Sequence, residues 1–321
     1  MTYRFIARPA CPGCGSTATA ERYSARYADA PVADFVRSYY PVEPETFGET
    51  RYRLDRCADC TLLFQHWIGD EDFLAQLYGE WIESDDDPEA EASYREDIHA
   101  VARSRDAHEI VVASAHLGLA PEDMVTLDYG MGWALWARIA AKLGCKSHGS
   151  DLSPRRMAFA REHGIVTLDD EAIAEPRFHF INLEQVLEHV PEPVILAEKL
   201  GGALLPGGIL KVSVPNGADA ERILEDLKSP GAALSDERWM PVQPLEHINT
   251  FSAKAVEALA ARAGLHVIEP SLSDRYAFVR EPGSLAWSRP AKLAKELIRP
   301  IYQFHSRRNL YRWLEKPAAK S

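Results

Sequence analysis

One stretch constrains the fold more than any other: Val125-Thr126-Leu127-Asp128-Tyr129-Gly130-Met131-Gly132-Trp133-Ala134. Its apolar start reads as a buried strand, and Trp133 to Leu143 carries helical periodicity, so the glycines fall in a strand-to-helix turn. Gly130 and Gly132 have no Cβ, so the backbone there can turn tightly and a ligand can lie against it. Asp151 closes a second apolar strand about 20 residues on, where doubly wound folds set a carboxylate on ribose hydroxyls. The turn predicts a nucleoside site.

The rest of this region alternates in the same way. Strands are predicted at Met124–Tyr129, Cys145–Ser150, Gly164–Leu168, Phe178–Leu183, Ile209–Val214 and Leu265–Glu269. Helices are predicted at Trp133–Leu143, from Ser153-Pro154 through His163, at Pro193–Leu204, and at Ala253–Ala263 behind a Ser252 cap. Such alternation requires an α/β fold, a mostly parallel sheet with helices on both faces. Ligands of such sheets lie beyond the carboxyl ends of the strands.

Spacing narrows the nucleoside. A dinucleotide turn needs glycine or alanine where this chain has Leu135, and the small residue, Ala134, comes one position early. Asp128 would repel a pyrophosphate, whereas it suits a ligand carrying an ammonium and a sulfonium. The pattern D-x-G-x-G-x-(G/A) resembles motif I of the class I S-adenosylmethionine-dependent methyltransferases, with Ala134 in place of the usual third glycine. Gln185-Val186-Leu187-Glu188-His189-Val190-Pro191-Glu192-Pro193, Leu205-Pro206-Gly207-Gly208 and Glu246-His247-Ile248-Asn249-Thr250-Phe251-Ser252 resemble later segments of that family, in order and spacing. The resemblance covers roughly Asp123 to Arg280. It implies a Rossmann-like sheet whose last strand, Ala277–Arg280, returns antiparallel. It also implies S-adenosyl-L-methionine held by Asp128, Gly130, Gly132, Asp151 and Leu152, with Glu184 and Gln185 at the methionine end. Asp169 or Asp170 could reach the adenine amine, or simply cap the next helix.

Methyl transfer to a hydroxyl or enolisable carbon needs a base near neutrality. His189, beside Glu188 after the fourth strand, is the first candidate, and His247 the second. The alternative is that these residues only order their loops. Two other functions share the fold: an NAD(P)-dependent oxidoreductase, disfavoured by Leu135 and Asp128, and a non-catalytic binding or scaffold protein, disfavoured by the intact turn.

Cys11-Pro12-Gly13-Cys14 and Cys57-Ala58-Asp59-Cys60 form two C-x-x-C knuckles, and two such turns complete a tetrahedral four-thiolate site for structural Zn2+. Paired disulfides are the alternative, disfavoured in the cytoplasm expected for this chain. Zinc ribbons of this kind resemble those preceding methyltransferase domains in sugar and natural-product modification. Cys145 belongs to the core. The chain thus divides into a ribbon module (1–72), a helical connector (73–118), a methyltransferase domain (119–284) and a basic carboxyl-terminal segment (285–321).

The net charge of −12 opposes a nucleic-acid surface. No run reaches the ~20 apolar residues of a membrane span. From Arg289 to Ser321 there are 9 Lys/Arg against 2 Asp/Glu, a net +7 that leaves −19 on the remainder. That segment reads as two short helical pieces separated by prolines. They are expected to pack on the body or a second subunit, or to meet an anionic acceptor or membrane surface. The expected acceptor is a small molecule or glycan building block.

Overall fold

The computed structural model describes residues 3–82, 88–99, 101, 104–229, 231–277, 298 and 306–318. In the amino-terminal part, β1 (Phe5–Ala7), β2 (Thr19–Arg26), α1 (Val32–Tyr39), β3 (Arg51–Cys57), β4 (Leu63–Gln65) and β5 (Trp67–Gly69) follow one another. The connector holds α2 (Glu71–Gln76), α3 (Ala92–His99) and α4 (Arg105–Leu117). The Ser104 side chain caps α4 by accepting from the Ala107 N–H, and Gly118 ends it in the left-handed conformation.

The second half alternates as the periodicity requires: β6 (Val125–Tyr129), α5 (Leu135–Lys142), β7 (Lys146–Ser150), α6 (Pro154–Glu162), β8 (Val166–Thr167), β9 (Phe178–Glu184), α7 (Pro193–Ala203) and β10 (Leu204–Pro215). Then come α8 (Ala220–Leu227), α9 (Asp236–Trp239), β11 (Asn249–Thr250), α10 (Ala253–Arg262), β12 (His266–Ile268) and, after a gap, β13 (Asn309–Glu315). One sheet runs in the order β12-β13-β10-β9-β6-β7-β8. Pairing is parallel from β10 to β8, and β13 lies antiparallel to both β10 and β12. The chain reverses its direction of growth between β6 and β9, so a crevice opens beyond their carboxyl ends.

Two expectations are corrected here. The antiparallel strand is β13 rather than Ala277–Arg280: Ala277 lies outside any strand, and residues 278–280 are outside those described. The basic carboxyl-terminal segment is therefore no helical appendage over Asn309–Glu315. There it forms an interior strand of the main sheet, with Leu310, Trp313 and Leu314 buried. Pairing with β10 along the whole strand, and with β12 over Trp313–Glu315, outweighs the local charge, because it satisfies backbone groups that would otherwise be buried unpaired. Nearly all of residues 285–305 are outside those described, so the helical pieces expected there are not in view.

The ribbon module is not a separate body either. Its sheet runs β11-β4-β3-β2, so it takes a strand from the methyltransferase half. Cys11, Cys57, Cys60, Leu62 and Phe64 share a core with Leu183, Leu187, Phe251, Val256 and Leu259. Between the knuckles Tyr23, Tyr27, Phe35 and Tyr40 pack with Ile223, Leu224 and Leu227 of α8 and Trp239 of α9. Two core clusters are thus shared by both halves.

Candidate active site

The turn after β6 comes first. Gly130 has φ +70°, and a Cβ there would meet Val186 Cγ2 at 2.4 Å. Its missing side chain thus lets β6 approach the β9 loop. Gly132, at φ +53°, has no atom within 4 Å of a Cβ position and leaves open space. Ala134 adopts the left-handed conformation (φ +57°) that the usual glycine would take.

Asp151 follows β7. One carboxylate oxygen accepts from the Gly132 N–H at 2.8 Å and the other from the Ser153 N–H at 2.9 Å, joining the glycine turn to the start of α6. Next to it Leu152 is 92% exposed, an apolar side chain with almost no protein over it. Asp169 accepts from the Ala172 N–H at 2.9 Å, the capping role, and Asp170 accepts from the Tyr129 hydroxyl and pairs with Lys199.

Two acidic residues read as ligand contacts are instead committed inside the fold. Asp128 is buried, accepting from the Ala137 N–H at 3.2 Å and the Asn182 amide at 2.7 Å, so it pins α5 to β6 and β9. Burial pushes its carboxyl up to about 7, against the Asn182 hydrogen bond. Glu184 pairs with Lys211 at 2.7 Å and with Arg105 at 2.6 Å. Although burial opposes ionisation, Lys211 and Arg105 hold its carboxyl down at about 2. Lys211 is fully buried and also reaches Asn182 at 2.8 Å and Glu109 at 3.4 Å. A charge-compensated network thus underlies β6, β9 and β10. Gln185, at φ +54°, starts the turn out of β9, with its amide 3.5 Å from Ser213 Oγ.

Beyond β9 lie Glu188, His189 and His247. Their ligand-type atoms all fall within 4.8 Å of one another. Glu188 is 1% exposed and neither carboxylate oxygen has a hydrogen-bond partner. Burial, with Glu246 and Glu184 nearby, pushes it up to about 8. The partly exposed His189 sets Nε2 3.9 Å from Glu188 and its ring 4.8 Å from that of His247. Desolvation first, and then His247, push the His189 imidazole down to about 3, and burial takes His247 to about 4. Both rings are thus held neutral in the free protein, the form in which an imidazole can accept a proton.

Residues with no motif of their own build this cluster. Asn249 donates through its amide to the Leu187 and Val190 carbonyls, at 3.0 and 2.8 Å, and its N–H donates to the Glu188 carbonyl at 3.0 Å. The buried Arg8 guanidinium donates to Asn249 Oδ1 at 2.9 Å and to the Gln65 and Ile248 carbonyls. The Tyr78 hydroxyl lies 3.2 Å from His189 Nδ1. Tyr40 and Gln243 donate to Glu246 at 3.3 and 2.6 Å. Ribbon module and connector thus hold the two loops of the site together. Only the Asn249 segment carried a sequence signal, through the run that contains it; Arg8 and Tyr78 gave none.

The four cysteines assemble as their spacing requires. Cys11 and Cys60 sulfurs are 3.5 Å apart, Cys14 and Cys57 sulfurs 3.4 Å apart, and all four lie within 4.8 Å. No disulfide joins them.

A family described as a methyltransferase domain matches residues 100–270. The chain belongs to the S-adenosylmethionine-dependent methyltransferases. This methyltransferase is 28% identical over 176 residues to a ubiquinone biosynthesis O-methyltransferase of Cereibacter sphaeroides, a match covering 50% of this chain and 66% of that one. It is 29% identical over 196 residues to the Chelativorans enzyme of the same description, covering 55% and 72%. Among solved structures, the Burkholderia thailandensis 1,6-didemethyltoxoflavin-N1-methyltransferase is similar, with TM-score 0.40, 15% identity and coverage of 73% and 92%. No described helix of this methyltransferase is long and apolar enough to cross a membrane.

Proposed function

We propose that this methyltransferase moves a methyl group from S-adenosylmethionine to a hydroxyl oxygen of a small molecule. The observation that carries the reading is the meeting of two differently built surfaces beyond β6 and β9. One has the open space at Gly132 and the bare side chain of Leu152; the other has Glu188, His189 and His247. The open backbone and uncovered apolar side chain fit an adenosyl group. Oxygen is favoured over carbon or nitrogen because the curated relatives named above are described as O-methyltransferases. Glycan building blocks remain within this acceptor class.

When bound, S-adenosylmethionine supplies an electrophilic methyl group on a sulfonium. Asp151 would take the ribose hydroxyls, Gly132 would give room for the donor, and Leu152 would lie on the adenine. The Glu188 loop would orient the acceptor hydroxyl and receive or stabilise its proton, so most of the rate comes from positioning. The four thiols fit zinc, since a closed tetrahedral set holds a structural metal and leaves no position for water. Zinc there would tie the chain at 11–14 to that at 57–60, behind the site.

Calorimetric titration with S-adenosylmethionine and with NADH tests the donor. Mass spectrometry over hydroxylated aromatics, glycans and amines then tests the acceptor atom. The reading expects S-adenosylmethionine alone to bind and a methyl gain on hydroxyl-bearing compounds. Binding of NADH alone, or methylation confined to amines, would overturn it.

A further inference from the structure

Glu188 poses a physical question that its surroundings leave open. A buried carboxylate is strongly unfavourable unless a cation or hydrogen-bond donors compensate it. Neither Glu188 oxygen has a hydrogen-bond partner from another residue and no lysine or arginine pairs with it among the described residues; Lys211 is engaged with Glu184, Asn182 and Glu109, and Arg8 with carbonyls and Asn249.

The two imidazoles facing it are set in a particular way. His247 directs Nδ1 at the Met240 carbonyl, and His189 directs Nδ1 at the Glu246 carbonyl, 3.2 Å away. A carbonyl can only accept, so His247 carries its proton on Nδ1 and keeps the Nε2 lone pair; His189 Nδ1, which also meets the Tyr78 hydroxyl at 3.2 Å, takes the same tautomer when it donates to the Glu246 carbonyl. Metal-binding histidines are oriented in the same manner, the outer ring nitrogen donating to a carbonyl and the inner one left to coordinate. His189 Nε2 is the nitrogen 3.9 Å from Glu188 Oε1.

We propose that Glu188, His189 and His247 bind a divalent cation of the zinc class, separate from the metal expected at the four cysteines. Two imidazole nitrogens and one carboxylate suit zinc and its neighbours better than magnesium or calcium, which prefer all-oxygen shells. Three protein ligands also leave coordination positions open, the pattern of a working rather than a structural site. Those positions would take the acceptor's oxygen and a water. A hydroxyl held there ionises more readily, its proton passing to water, and the oxygen is left ready for the methyl group. That role rests on the methyl-transfer reading; the binding of the cation does not.

The test counts metal in full-length protein, stripped with chelator, dialysed against Zn2+ or Co2+ and analysed for metal content. Wild type should hold two equivalents per chain, and Glu188→Gln and His247→Ala one each. The second site's affinity should fall by more than the 10–100-fold that outer partners are worth. With Co2+, the thiolate charge-transfer bands should persist in both variants while the remaining cobalt absorption is lost, which also shows that the ribbon stays folded. A single equivalent in wild type, or an unchanged count in the two variants, would overturn the site. S-adenosylmethionine titrated into the same samples separates the readings. Failure of wild type to bind it defeats methyl transfer and leaves the metal count standing.

Discussion

The molecule gathers two clusters of side chains whose chemistry suits a metal ion, and they are built in opposite ways. Four thiols arrive as two pairs, each pair on one short turn, and close on one another from residues 11–14 and 57–60. Glu188 and His189 come from one loop and His247 from another far away in sequence, and Arg8, Asn249 and Tyr78 help stitch those loops together. The first set is complete in itself, while the second leaves room for something else. The lesson is that in this chain the closed site is part of the scaffold for the open one, since its cysteines sit in the core that also packs Leu187 and Phe251.

The comparison breaks most visibly at the thiols. Cys57→Ala should unfold the ribbon module and destabilise the methyltransferase sheet with it, given that structural zinc contributes about 10–16 kcal/mol in small folds. Urea denaturation followed by far-UV circular dichroism reads this. A sheet as resistant as in wild type would show that the two halves are independent after all, which the spacing of the knuckles alone suggests.

The open site should respond in rate rather than in folding. His189→Ala is expected to lower kcat by about 10²–10⁴ with S-adenosylmethionine affinity unchanged. Equal turnover of the authentic acceptor by wild type and variant would reduce His189 to a loop-ordering residue. On the donor side the expected effect is smaller. Asp151→Ala should weaken S-adenosylmethionine binding by about 1.5–3 kcal/mol, the range for hydrogen bonds to a charged group. Calorimetry giving the wild-type affinity would move the ribose contact elsewhere.

The smallest effect concerns pH and separates the network under the open site from the thiols. Glu184 ionises at about 2 in the fold, below its ordinary 4.5. Its contribution is thus fully present above pH 4.5 and is lost as pH falls through about 2. Glu184→Gln should flatten the fall of the urea midpoint between pH 5 and pH 2.5. A slope identical to that of wild type would place the acid sensitivity in other groups.

The alternating half of the fold was legible because period-2 and period-3.6 patterns report which face is buried, and caps such as Ser153 and Ser252 mark helix starts. Paired cysteines were legible because spacing fixes their geometry. Asp128 and Glu184 were misread for a physical reason. A carboxylate beside a glycine turn looks the same in sequence whether it faces the ligand or, as here, Asn182 and Lys211 across the sheet. Asn309–Glu315 was misread because its mixture of apolar, aromatic and basic residues fits a short helix as well as a strand. Only pairing with β10 and β12 decides between them. Arg8 left no trace, because a single arginine acquires meaning only from the carbonyls it meets.

The position of β13 has a consequence for the life of the chain on the ribosome. Among the described strands β12 pairs only with β13, and β10 has β13 on one flank. Until residue 315 has left the exit tunnel, the nascent sheet ends in an unpaired strand edge, and β12 has no partner. Such open edges invite pairing with other chains. The acidic body, already −19 before the last basic stretch is made, would repel neighbouring copies during that interval. A premature stop upstream of Asn309 would leave that edge open for good, and its product should reach the cell's degradation machinery rather than accumulate as a shortened enzyme.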